Sequence, residues 1–215
     1  MLRMLLLIPL LLTGLRSPAQ DSSRTEKPPP KVLIIRFDPD YAPAVQPEDT
    51  IYYTPSRPLQ WSDFTGKRPP GHTDNIAVTY SSFAYTGSAR QKQDTLWVTL
   101  TLQVFFVKSA SWVSGSPGTY ALQHEQMHFD LTHIAADDFK RRVLRTDMEP
   151  EDADSYIQYQ YLEAFRDMNH LQERYEAATG HGRNPAAAAQ WKKYIRDRLY
   201  GKLVPLPDTG PSSVK

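Results

Sequence analysis

Between residues 96 and 106 every even position is apolar: Leu96, Val98, Leu100, Leu102, Val104 and Phe106, with Thr99, Thr101 and Gln103 interleaved. Side chains alternate between the two faces of a strand, so period two over this length specifies a strand with one buried face and one wet face. Such a strand needs pairing partners and an apolar layer over its buried side. Residues 76–86, rich in β-branched and aromatic side chains, are the nearest partner, and the polar stretch 87–94 between them reads as a turn. The expectation is a small antiparallel sheet.

The period then changes. From 120 to 144 the apolar residues Met127, Leu131, Ile134, Ala135, Phe139 and Val143 recur at steps of three, four and seven, the spacing of one helix face. The cluster Ser114-Gly115-Ser116-Pro117-Gly118-Thr119 precedes them as a start signal. A second helical stretch covers 154–179 and ends at Gly180 and Gly182; Asn184-Pro185 then supplies a cap and a first-turn proline for a third, 186–203. Strands followed by helices predict an α+β fold: a small antiparallel sheet, then a helical half.

Both ends read differently. Met1 to Arg3 carries one positive charge, the apolar run 5–12 is interrupted only by Pro9, and Ser17-Pro18-Ala19 supplies small residues for cleavage, so residues 1–19 read as a signal peptide. That run is far short of the roughly 20 residues that span a bilayer, and no stable membrane insertion is expected after cleavage. Ten of the 18 prolines lie between Pro28 and Pro70, and residues 20–50 read as a Pro-rich tether rather than a removable pro-region, although Val32-Leu33-Ile34-Ile35 has the composition of a short strand. Residues 51–204 form the expected domain and 205–215 a loose tail. The chain is therefore expected to be secreted or periplasmic, in a bacterial envelope. A formal charge of +1 provides no electrostatic platform for nucleic acid, and the absence of cysteine excludes thiolate metal sites and thiol nucleophiles. Any metal must be held by histidine and carboxylate.

Those ligands are present in His124-Glu125-Gln126-Met127-His128. Histidines four apart on a helix differ by only about 40° around its axis, so both imidazoles reach one ion. Zn2+ suits imidazole nitrogen and retains an open position for water, and a carboxylate beside the pair can take that water's proton. His124 and His128 are accordingly the metal ligands and Glu125 the catalytic base. The third ligand is not in the motif: Leu131 and Ile134 occupy the positions where an extended protease pattern would place Gly and His, while His133 and Asp130 point off the metal-facing side. His181, at the end of the second helix in Thr179-Gly180-His181-Gly182, is the first choice; Glu163, Glu173 and Glu176 are the alternatives, since another class of zinc protease recruits a downstream Glu. Tyr175 is a candidate oxyanion stabiliser. Trp61 and Trp112 read as core or sheet-edge aromatics, and Asp63 as a turn residue.

The stretch His124-Glu125-Gln126-Met127-His128-Phe129-Asp130 resembles the signature of a bacterial domain-of-unknown-function family predicted to be secreted zinc-dependent proteases. Leu59-Gln60-Trp61-Ser62-Asp63-Phe64, Ser111-Trp112-Val113, Gln172-Glu173-Arg174-Tyr175-Glu176, Thr179, His181-Gly182 and Gln190-Trp191 extend the likeness over residues 59–199. His133 stands where that family has an acidic residue, and Asp137-Asp138 replaces a more basic stretch. The resemblance implies a metallopeptidase acting on a peptide or protein substrate, its helical half zincin-like and catalytic with the HExxH motif on a central helix. The rival expectation is a non-catalytic envelope protein in which a structural zinc site fixes the helices and the surface binds a partner.

Overall fold

A computed structural model describes residues 29–39, 47–71 and 75–207. The expected signal peptide lies outside these residues, as do parts of the tether and tail. Among the described residues, six strands precede three α-helices: β1 (Val32–Phe37), β2 (Thr50–Tyr52), β3 (Ala77–Val78), β4 (Ser81–Lys92), β5 (Thr95–Val107), β6 (Trp112–Val113), α1 (Thr119–Arg145), α2 (Ala153–Thr179) and α3 (Pro185–Leu199). The fold is mixed α+β.

β5 is the spine of the main sheet, and it buries Val98, Leu100, Leu102, Val104 and Phe106, the alternating positions that its sequence marks. β4 pairs antiparallel along almost its whole length, from Ser81 opposite Phe106 to Lys92 opposite Thr95. The other edge of β5 is shared by β2, antiparallel, and β1, which runs parallel from Val32 opposite Thr95 to Phe37 opposite Leu100. Two expectations are corrected here. The sheet is mixed rather than purely antiparallel, because residues 32–37 of the Pro-rich stretch return to it as a parallel strand. The turn-like stretch 87–94 is mostly strand, with Gln93 at φ 53 in the tight connection. Its alternation is lost because residues 86–90 are exposed, and a ribbon that buries neither face carries no period-two signal.

α1 lies across the sheet and belongs to two cores. Phe129, Phe139 and Val143 meet Phe83, Leu100 and Phe106, and the Phe139 ring stands 5.4 Å from Tyr85. Met127, Leu131 and Ile134 face Tyr175 of α2 and Trp191, Tyr194 and Ile195 of α3. α1 is thereby held on three sides, which fixes its rotation and hence the direction of every side chain in its second turn. α2 stops at Gly180, whose left-handed φ of 56 closes the helix. α3 begins with the Asn184 side chain accepting from Ala187 N–H and with Pro185 in the first turn. It ends at Leu199, short of the predicted 203, and Val204 and Leu206 pack onto the second core, so the first residues of the expected tail are anchored.

β3 and β6 form a separate two-stranded ribbon beside the N-terminal end of α1. Gly66 makes room for it: a Cβ there would stand 2.5 Å from the Ser109 carbonyl oxygen and 2.7 Å from that of Ser111. Among the described residues, no helix is long and apolar enough to cross a membrane.

Candidate metal centre

The rotation of α1 turns His124 and His128 toward α2, with His124 only 7% exposed. Their Nε2 atoms are 3.3 Å apart, and Glu176 Oε1 lies 2.8 Å from the first and 2.6 Å from the second. The imidazole pair is spaced like two donors about 2.0–2.1 Å from one tetrahedral ion, which stand roughly 3.3–3.4 Å apart, whereas Glu176 Oε1 stands at hydrogen-bond distance from both nitrogens. Two imidazole nitrogens and one carboxylate oxygen, all within 4.8 Å of one another, form a His-His-Glu group that could hold a metal ion.

Each imidazole is held from behind. Gln172 Nε2 donates to the His128 carbonyl at 2.9 Å and to Thr132 Oγ1 at 3.1 Å, which orients its Oε1 toward His128 Nδ1 at 2.5 Å. His128 Nδ1 is therefore the donor, and in the neutral ring Nε2 keeps its lone pair for a metal. Tyr175, fully buried, places its hydroxyl 2.7 Å from His124 Nδ1, and its ring stacks on the His124 ring at 4.8 Å. That hydroxyl is directed at His124, and Tyr175 does not line the cavity.

The electrostatics follow from this packing. Burial pushes the Glu176 carboxyl up, but hydrogen bonds and charge from His124 and His128 outweigh it and hold the group far below the usual carboxylate range. Burial pushes the His128 imidazole down; the hydrogen bond to Glu176 and the negative charges of Glu125 and Glu176 reverse this and raise it. Burial drives the Tyr175 hydroxyl far above its ordinary value, and it stays protonated.

Glu125 is 5% exposed, and Thr79 Oγ1, between β3 and β4, donates to its Oε2 at 2.7 Å. Glu125 lines the same cavity of about 430 Å³ as His124, His128 and Glu176, walled by residues 75–79, Tyr120 and the turn 181–183. His181 stands apart from the three-donor group: its Nδ1 hydrogen-bonds Glu176 Oε2, the carboxylate oxygen turned away from the two imidazoles. In this geometry the third donor is Glu176, and His181, the first choice from sequence, braces it. His181 reaches that place through a left-handed backbone, φ 57, between Gly180 and Gly182. Gly182 then passes so close to His124 that a Cβ would sit 3.4 Å from the ring. Of the remaining candidates, Glu163 pairs with Arg166 and Glu173 with the exposed His170.

Helix geometry contained a signal for Glu176. At 100° per residue it stands about 100° from the direction of Tyr175, whereas Glu173 stands about 160° away. Gln172 and Thr79 were not identifiable from sequence, because a Gln on a helix and a Thr before a strand have no spacing signature of their own. Trp61 packs on Phe64 at 5.1 Å and Trp112 is buried in β6; neither lines the cavity. Asp63 caps the short turn Trp61–Asp63 and accepts two hydrogen bonds from Arg57, each at 2.7 Å.

Comparisons with known proteins find no relative: no protein-family model, no curated protein and no solved structure matches the chain.

Proposed function

We propose that this chain is an exported zinc metallopeptidase whose ligands are His124, His128 and Glu176 and whose general base is Glu125. One observation carries the reading: two imidazole nitrogens and the Glu176 carboxylate converge beside a cavity that a second, buried carboxylate, Glu125, also lines. A metal that only fixed the helices together would not need that carboxylate, and α1 and α2 are already joined through Leu131, Ile134 and Tyr175. The likeness of residues 124–130 to the signature of the predicted secreted proteases points the same way. Export rests on residues 1–19, with residues 51–204 as the catalytic domain.

A bound zinc ion would supply Lewis acidity to water and to the substrate carbonyl. The chain's own residues do the rest. Thr79 occupies Oε2 of Glu125, which leaves Oε1 to accept a proton from water and pass it to the departing amide nitrogen. Gln172 and Tyr175 keep both imidazoles presenting Nε2. β3 orients the substrate. Ser114 N–H donates to the Ile76 carbonyl, and Ala77 lies opposite Val113 in antiparallel register, so the N–H and C=O of Ala77 face away from β6. Ala77 and Val78 line the cavity, and an extended peptide laid on that edge would present its backbone to Glu125.

The test is Glu125→Gln. It should retain zinc while hydrolysis of a quenched-fluorescent peptide library falls by about 10²-fold or more. Hydrolysis at the wild-type rate refutes the mechanism. Intact zinc binding with no cleavage by the wild-type chain, together with a lower melting temperature on zinc removal, would establish the structural-site alternative.

A further inference from the structure

A second cavity, of about 560 Å³, lies on the far side of α1, between that helix, α3 and the segment around Tyr53 and Pro55. Its size is that of a small-molecule site. Met127, Ile195, Leu199 and Pro55 give it apolar walls, and Leu199 and Tyr200 remain 37% and 78% exposed at its mouth.

The charges around it are unevenly satisfied. Along α3, Lys193 is paired with Asp197 and Arg198 with Asp138. Lys192 and Arg196, one turn apart and both lining the cavity, have no acidic partner among the described residues. The acid on the opposite wall is already engaged: Asp130 Oδ1 accepts from Tyr53 at 3.1 Å and from Gln126 at 2.8 Å. His133, stacked on Tyr53 at 4.2 Å, contributes a buried Nδ1 with no hydrogen-bond partner to the same wall. An apolar trough thus ends at two uncompensated cations. We infer that this cavity binds an amphiphilic organic anion, with its apolar body on Met127 and Ile195 and its acidic group between Lys192 and Arg196. This site shares no residue with the metal centre and does not depend on the proposed peptidase activity.

Decanoate is a suitable probe, measured by titration calorimetry on the full chain, with decanol as its uncharged counterpart. Decanoate should bind saturably, and decanol about tenfold more weakly or less. The double variant Lys192→Ala with Arg196→Ala should weaken decanoate by about tenfold while leaving decanol unchanged. Ala189→Trp, at an exposed position on the cavity wall, should block both ligands. All these positions are at the surface, so the unliganded melting temperatures should match the wild type and thereby report on folding. Decanoate binding that is unsaturable, or indifferent to both variants, overturns the proposal. So does binding to phosphatidylglycerol vesicles with none to free decanoate, which would make the region a membrane-facing patch instead of a small-molecule site.

Discussion

Tyr175→Phe removes one oxygen from the second core and leaves the ring that packs on His124 and Trp191 in place. Its direct effect is to deprive His124 Nδ1 of a partner 2.7 Å away in a site from which water is excluded. An unsatisfied buried donor costs about 1–3 kcal/mol, and loss of the partner that orients a metal-bound imidazole lowers metal affinity by about 10–100-fold. An affinity loss of about 10–100-fold corresponds to roughly 1.4–2.7 kcal/mol. No cavity larger than an oxygen atom is created, so the metal-free protein should lose only the hydrogen-bond term, about 1–3 kcal/mol, and still fold. Zinc affinity should be measured by competition with a chromophoric chelator, and unfolding by urea titration of the metal-free chain. Zinc affinity within twofold of wild type would refute the role assigned to Tyr175. A metal-free variant that fails to fold would show that the hydroxyl acts on the core instead of on the ligand.

Gly66→Ala should destabilise the chain by about 1–3 kcal/mol in a urea titration, because its Cβ meets two backbone carbonyl oxygens that cannot rotate away, and a loss below a few tenths of a kcal/mol would contradict this. Asp63 is predicted to set an acid limb of stability. Burial raises its carboxyl, but Arg57 and the Gln60 N–H outweigh that and hold it below its ordinary value. Its contribution is therefore complete above the unfolded pKa of about 3.9 and is lost as pH falls through the lower folded value. Asp63→Asn should be less stable than wild type at pH 7, and the gap should close on acidification in parallel urea titrations; a gap independent of pH would contradict this.

The elements legible in the sequence are those with a buried face. β5 shows five buried residues at alternate positions, and α1 and α2 keep their apolar spacing for 27 residues each, so period and boundaries were readable. The distal half of β4 was not, since its side chains are exposed on both faces and their composition resembles a loop. β1 was legible as a strand in its run Val32-Leu33-Ile34-Ile35, but its parallel pairing with β5 is a tertiary fact that no local pattern encodes. At the metal centre, His124, Glu125 and His128 are fixed by helix geometry within a single turn, whereas the third donor depends on how α2 docks across α1. Glu176 reaches the pair because Tyr175 anchors α2 at that level. His181 had the more suggestive glycine setting, yet the same glycines direct it to the outer oxygen of Glu176.

Zinc content of the purified chain tests the donor set most directly, compared among wild type, Glu176→Ala and His181→Ala by elemental analysis after dialysis against a weak chelator. A centre built from His124, His128 and Glu176 predicts near-stoichiometric zinc in the wild type, retention in His181→Ala and loss in Glu176→Ala. Full zinc in Glu176→Ala beside an empty His181→Ala would contradict it and return the third position to the histidine.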